Sequence, residues 1–141
     1  MLALLSSLIL LSRASSRLTL KGWREYIALR LPFSIYLGWI SVASIANLTI
    51  FLSSIGVFQS IDETIYTILM ILIAGGLGLL MLVRRHDPAY ALVVVWAALG
   101  IIAKRVEIDP VEYQSIIWAA GGVVALVGVT GIGMIWKKYI R

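Results

Sequence analysis

Apolar residues fall in long blocks separated by short polar tracts, and this pattern alone predicts the architecture. Four blocks stand out: Phe33 to Phe58, Ile65 to Val83, Ala89 to Ala103 and Ile116 to Trp136. The third is the shortest, but its flanks extend it to Pro88–Val106. At about 1.5 Å per residue that is ~28 Å, enough to cross a hydrocarbon core of ~30 Å with little mismatch. The expectation is an all-α fold, a polytopic transmembrane helical bundle forming one membrane domain over residues 1–141. Its four spans are placed at about 33–58, 61–83, 88–106 and 110–137. A further apolar run, Leu2–Leu11, has no basic residue before it, as a signal peptide would; Arg13 and Arg17 follow it. Residues 1–12 reach only ~18 Å, too short to cross alone, so they read as a partial or truncated fifth helix.

Punctuation at the block edges sharpens the helix starts. Ser60-Ile-Asp-Glu63 has the form of a capping box, in which the Ser hydroxyl and the Glu carboxylate each satisfy an orphan amide. Asp87-Pro88 and Asp109-Pro110 each place an Asp at the cap and a proline at the first helical position, where its missing N–H costs nothing. Pro32 sits where the first long helix should begin.

Composition confirms the solvent. The chain is 61% hydrophobic and 13% charged, about half the charge of a soluble domain. The net charge of +5 does not point to nucleic acid, because the basic residues occupy short tracts between apolar blocks instead of one basic face. Those tracts set the topology. Ten of the twelve basic residues fall before Phe33, at Arg84 and Arg85, and in the tail at Lys137, Lys138 and Arg141. The intervening connections hold Asp62 and Glu63, and Lys104/Arg105 offset by Glu107, Asp109 and Glu112. The positive-inside rule then puts the C-terminus on the cytoplasmic side, of a plasma membrane if the source is prokaryotic. Between Arg17 and Pro32, Leu20, Trp23, Ile27 and Leu31 recur at helical spacing. The segment 13–31 thus reads either as an amphipathic helix on the inner surface or as a plain basic loop.

Candidate chemistry is sparse. There is no cysteine and one histidine, so no multi-His or Cys metal site can form within one chain, and no metal is expected. No nucleophile–base pair stands out, so no enzyme is expected. Every carboxylate lies at or beyond a helix end, leaving none in the bilayer for proton or cation coupling. His86, in Arg84-Arg85-His86-Asp87, reads as a solvated interface residue or, less simply, an axial haem ligand. In the first span Ala43, Asn47 and Ser54 fall within ~20° of Tyr36 at 100° per residue. Lipid offers Asn47 no partner, so this stripe is expected to face the bundle interior, either bonding a neighbouring helix or lining a cavity. Trp96, mid-span, and Trp39 are core packing or cavity lining by the same token. Two pairs of small residues four apart, Ala74/Gly78 and Gly121/Ala125, permit close helix approach.

The tract Pro32-Phe33-x-x-Tyr36-x-Gly38-Trp39 resembles a helix of the TspO/MBR family, the translocator proteins or tryptophan-rich sensory proteins, in a divergent longer branch. Pro32-Phe33, Tyr36 and Trp39 stand at the family's offsets with aromatic replacements. Ala46-Asn47 is similar to its Leu-Asn pair but lies fifteen residues past the proline instead of twelve. The tract Tyr90–Gly100 adds weaker similarity, and the Trp-Pro motif of the family's first helix is absent, as in a chain that starts inside an earlier span. The resemblance implies a non-catalytic bundle that binds, and transports or senses, a flat hydrophobic molecule such as a porphyrin, haem-like tetrapyrrole or sterol. Tyr36, Trp39 and Asn47 are the lining positions it carries over, with Trp96 as the fourth candidate. The alternative is an accessory subunit whose glycine-rich second and fourth spans pack on partner membrane helices or on a second copy. A small exporter is disfavoured, since the first span holds no glutamate.

Overall fold

The computed structural model describes residues 31–58 and 61–140; the expectations for residues 1–12, 13–30 and Ser60 lie outside them. Four helices follow one another, α1 Leu31–Ser54, α2 Glu63–Arg85, α3 Pro88–Ile108 and α4 Gln114–Ile140, with no strand among the described residues. Three of them, α1, α2 and α4, are long and apolar enough to cross a membrane. The helical membrane bundle expected from the apolar blocks is therefore present. The remaining helix, α3, is the hub, packing against all three of the others.

Local chemistry explains each boundary, and three differ from expectation. Helix α1 stops at Ser54 although the apolar run continues to Phe58. Gly56 adopts φ 79°, and its N–H donates to the Ser53 carbonyl at 3.1 Å while Val57 N–H donates to the Leu52 carbonyl at 3.1 Å. That is a Schellman termination, which needs a left-handed residue at Gly56. Helix α2 begins at Glu63, with Asp62 as its cap instead of Ser60: the Asp62 carboxylate accepts from Thr64 N–H at 2.7 Å. These bonds to Thr64 also hold the Asp62 carboxyl below its ordinary pKa. Asp87 caps α3 with Pro88 in the first turn, as the Asp-Pro pair predicts. Asp109, by contrast, closes α3 and holds a separate turn, accepting from Val111 and Glu112 N–H at 2.8 and 3.1 Å, so α4 starts only at Gln114.

The connection between α2 and α3 is only His86 and Asp87, with His86 in the left-handed region at φ 51°. So tight a turn makes the two helices antiparallel neighbours. The end of α1, the start of α2 and the connection 109–113 then lie at the opposite end of the bundle. Core packing runs through Ile71, Leu82, Val94, Ala98, Ile116, Ala120 and Val123. Two glycines let the backbones approach. A Cβ on Gly78 would lie 3.2 Å from three Val94 side-chain carbons, and one on Gly75 would lie 2.6 Å from a Val123 methyl. The close-approach face of α2 is therefore Gly75/Gly78, with Ala74 beside it. The expected Gly121/Ala125 pair is not used inside the bundle: nothing approaches a Cβ on Gly121 within 4 Å, and Ala125 is exposed.

Gly75→Ala is expected to destabilise the bundle by about 1–3 kcal/mol through overpacking against Val123. Gly76→Ala, with open space at that position, serves as the neutral or slightly stabilising control in thermal unfolding of the detergent-solubilised protein.

Candidate functional site

One end of α1 is fixed tightly to α3. A Cβ on Gly38 would lie 3.1 Å from Val93 Cβ and 3.3 Å from the Tyr90 carbonyl oxygen, so any larger residue would push the two helices apart by a few tenths of an ångström. One turn earlier the buried Ser34 hydroxyl donates to the Asp87 carboxylate, whose other oxygen accepts from Tyr90 N–H at 3.2 Å. Asp87 thus caps α3 and ties α1 to it at once. Ser41, also buried, donates to its own helix at the Leu37 carbonyl, 2.8 Å away.

Beyond this fixed point α1 touches α2 far less than it touches α3. Between them is a cleft of about 260 Å³. Val42, Ile45, Ala46, Thr49 and Ile50 line it from α1, and Thr67, Met70, Ile71 and Ala74 from α2. Val94, Ala97, Ala98 and Ile101 form its back wall on α3, with Val123 of α4 reached between α2 and α3. Small side chains at Ala46, Ala74, Ala97 and Ala98 leave the space, and Ala46 and Ile50 remain exposed along its α1 edge. Among the described residues no ionisable side chain lines it. Its polar atoms are the hydroxyls of Thr49 and Thr67, and Thr49 already donates to the Ile45 carbonyl at 2.9 Å.

The expected lining residues fall elsewhere. Tyr36, Trp39 and Asn47 are exposed, and Trp96 is 71% exposed; none of the four borders the cleft. The inward-facing stripe is thus corrected: the buried residues of α1 are Ser34, Leu37, Gly38, Ile40 and Ser41, and all but Ile40 lie on the side of the helix away from Tyr36. Asn47 tolerates the outward position because its side-chain amide donates to the Ala43 carbonyl at 2.8 Å, within its own helix. The alternative stripe was visible in the sequence as Ser34-x-x-x-Gly38-x-x-Ser41, small residues on one face. The cleft itself had a fainter signal, alanines facing one another from three helices, which cannot be paired without the tertiary arrangement. His86 is exposed at its turn. Among the described residues no group of three or more His, Asp or Glu side chains could hold a metal ion, and the cleft offers none of them to a haem iron.

An apolar cleft inside a bundle of membrane-length helices defines the class, a polytopic helical integral membrane protein. The chain belongs to the TSPO-like protein family, whose model matches residues 1–133. No curated protein and no solved structure matches it.

Asp87→Ala is expected to cost about 2–3 kcal/mol, because it removes a helix cap and leaves Ser34 and Tyr90 N–H without an acceptor. Ser34→Ala, which leaves the cap intact, should cost about 1 kcal/mol. Thermal unfolding in detergent ranks the two, and equal losses would contradict the dual role of Asp87.

Proposed function

We propose that this protein is a non-catalytic membrane protein that binds, and carries or senses, a hydrophobic small molecule in the cleft between α1, α2 and α3. The cleft's wholly apolar walls, with two threonine hydroxyls as the polar atoms, are the observation that supports this reading. Its volume of about 260 Å³ lies just under the ~300–1,000 Å³ of ordinary small-molecule sites. A rigid sterol-like body can seat one end there, and a larger disc such as a porphyrin would extend out between α1 and α2. Family membership supports the same class of function. The basic turn Arg84-Arg85 and the C-terminal end of α4 share one end of the bundle, which supports a cytoplasmic C-terminus, in the plasma membrane if the source is prokaryotic.

Binding is tested with dehydroergosterol and protoporphyrin IX, each followed by its own emission on titration with protein in detergent. Filling the back wall with Ala97→Leu should weaken binding by about tenfold or more, equivalent to ~1.4 kcal/mol. Trp39→Phe and Trp96→Phe should leave it unchanged. Absence of saturable binding of either compound would refute the reading.

One observation favours a second role as a subunit of a larger membrane assembly. Gly122 and Gly133 on α4 are exposed with open space around them, beside the exposed Ala125. Such a face admits a partner helix or a second copy at close range. Gly122→Leu should then abolish a cross-linked species formed in native membranes while leaving dehydroergosterol binding intact.

A further inference from the structure

We infer that the cleft is closed toward water by a latch centred on Arg105, so that its guest enters sideways from the bilayer between α1 and α2. The inference rests on the binding reading and adds an entry route and a guest class to it. Two cleft residues fix the latch's position. Thr67 lines the cleft from α2, and Glu63 stands one turn above it on the same face; Ile101 lines it from α3, and Arg105 stands one turn beyond on the same face. The Arg105 guanidinium reaches Glu63 at 3.2 Å, bridging α2 and α3 directly over the cleft's loop-side end. Arg105 also lies over the Tyr113 ring, with Cζ 4.3 Å from the centroid. Its side chain is only 21% exposed, although Glu63 is 61% exposed; in the neighbouring Lys104–Glu107 pair both partners are exposed, at 66% and 71%. A guanidinium held by both a carboxylate and a ring face is far more restrained than an isolated surface pair.

The α1 side of the same end is covered separately. Phe58, in the connection that follows α1, stacks on Tyr66 with ring centroids 4.6 Å apart and 18° between the planes. Beyond the opposite end of the cleft, α1 is held against α3 by the Gly38 crossing and the Ser34–Asp87 bond. Among the described residues, what remains is the side opening, where the exposed Ala46 and Ile50 edge α1. A molecule using that route must already be dissolved in hydrocarbon, and among the described residues it meets no charge on the way in. The guest class is therefore an uncharged, membrane-partitioned molecule, and a dianionic tetrapyrrole would have to keep its carboxylates outside.

The chain contains no cysteine, so Thr67→Cys places a single thiol on the cleft wall of otherwise native protein. Proteoliposomes of phosphatidylcholine are treated with pyrenyl maleimide, which partitions into lipid, or with a trimethylammonium methanethiosulfonate, which does not. Ile61→Cys, exposed in the α1–α2 connection, gives the reference rate for water access. The Thr67→Cys thiol should react readily with the maleimide but about fiftyfold more slowly than the reference with the charged reagent. Adding Arg105→Ala should bring the charged rate to within a few-fold of the reference. Glu63→Gln should do so as well while keeping Arg105 on Tyr113, and Lys104→Ala should have no effect. A fast charged reaction with the latch intact, or no change on breaking it from either side, overturns the inference. Dehydroergosterol in the bilayer should protect the thiol from the maleimide. Its failure to protect, with the latch-dependent access pattern preserved, overturns the binding reading alone.

Discussion

The bond from Ser34 to Asp87, together with the glycine crossing at Gly38, sets the rest of the arrangement. It is made where α1 begins and α3 begins, so it fixes their separation at one end only. From that point the two helices run in the same direction, antiparallel to α2, and α1 packs far less against α2 than against α3. The cleft lies in the space this leaves. A buried carboxylate is expensive in a membrane protein unless every lone pair has work to do. Asp87 meets that condition because it serves as a helix cap and an interhelical acceptor simultaneously.

A bilayer interior supplies no water, so each polar side chain must find a partner inside the protein. Much of the demand here is met within single helices. Ser41 bonds the Leu37 carbonyl, Asn47 that of Ala43, Thr49 that of Ile45, and Thr130 that of Leu126. This back-bonding removes the constraint that a mid-membrane Asn or Thr must point toward a neighbour. It is the physical reason the Tyr36–Asn47 stripe lies on the outside of α1 while the less conspicuous Ser34, Gly38 and Ser41 face inward.

The two ends of the bundle are built differently. At the α2–α3 turn the connection is two residues long and its carboxylate is buried, which makes a rigid closed end. At the other end the connections are longer and the helices are joined by side chains, Arg105 with Glu63 and Phe58 with Tyr66. Side-chain contacts near water are exchangeable in a way that the Gly38 backbone crossing is not. Any opening motion of the cleft therefore belongs to the Arg105 end.

Much of this fold was legible from the chain. The apolar blocks specified four helices, because in hydrocarbon a spanning segment must satisfy its own backbone. Asp87-Pro88 located the start of α3, and the resemblance in the Pro32–Trp39 tract pointed to the family that the match over residues 1–133 establishes. Local signals misled where two readings competed: the apolar residues Ile55, Val57 and Phe58 masked the stop at Gly56, and Ser60 was chosen over Asp62 as the cap. What only the tertiary structure decided is which face of each helix is inside. On a soluble helix, water marks the outer face, but on these helices the outer face meets lipid and is as apolar as the core. Trp96 and Val94 are therefore indistinguishable by polarity, yet one is exposed and the other is buried against the cleft. The sequence determined that the chain is a bundle of membrane helices; helix packing alone determined that its cavity is lined by alanine, isoleucine, valine and threonine instead of tryptophan and asparagine.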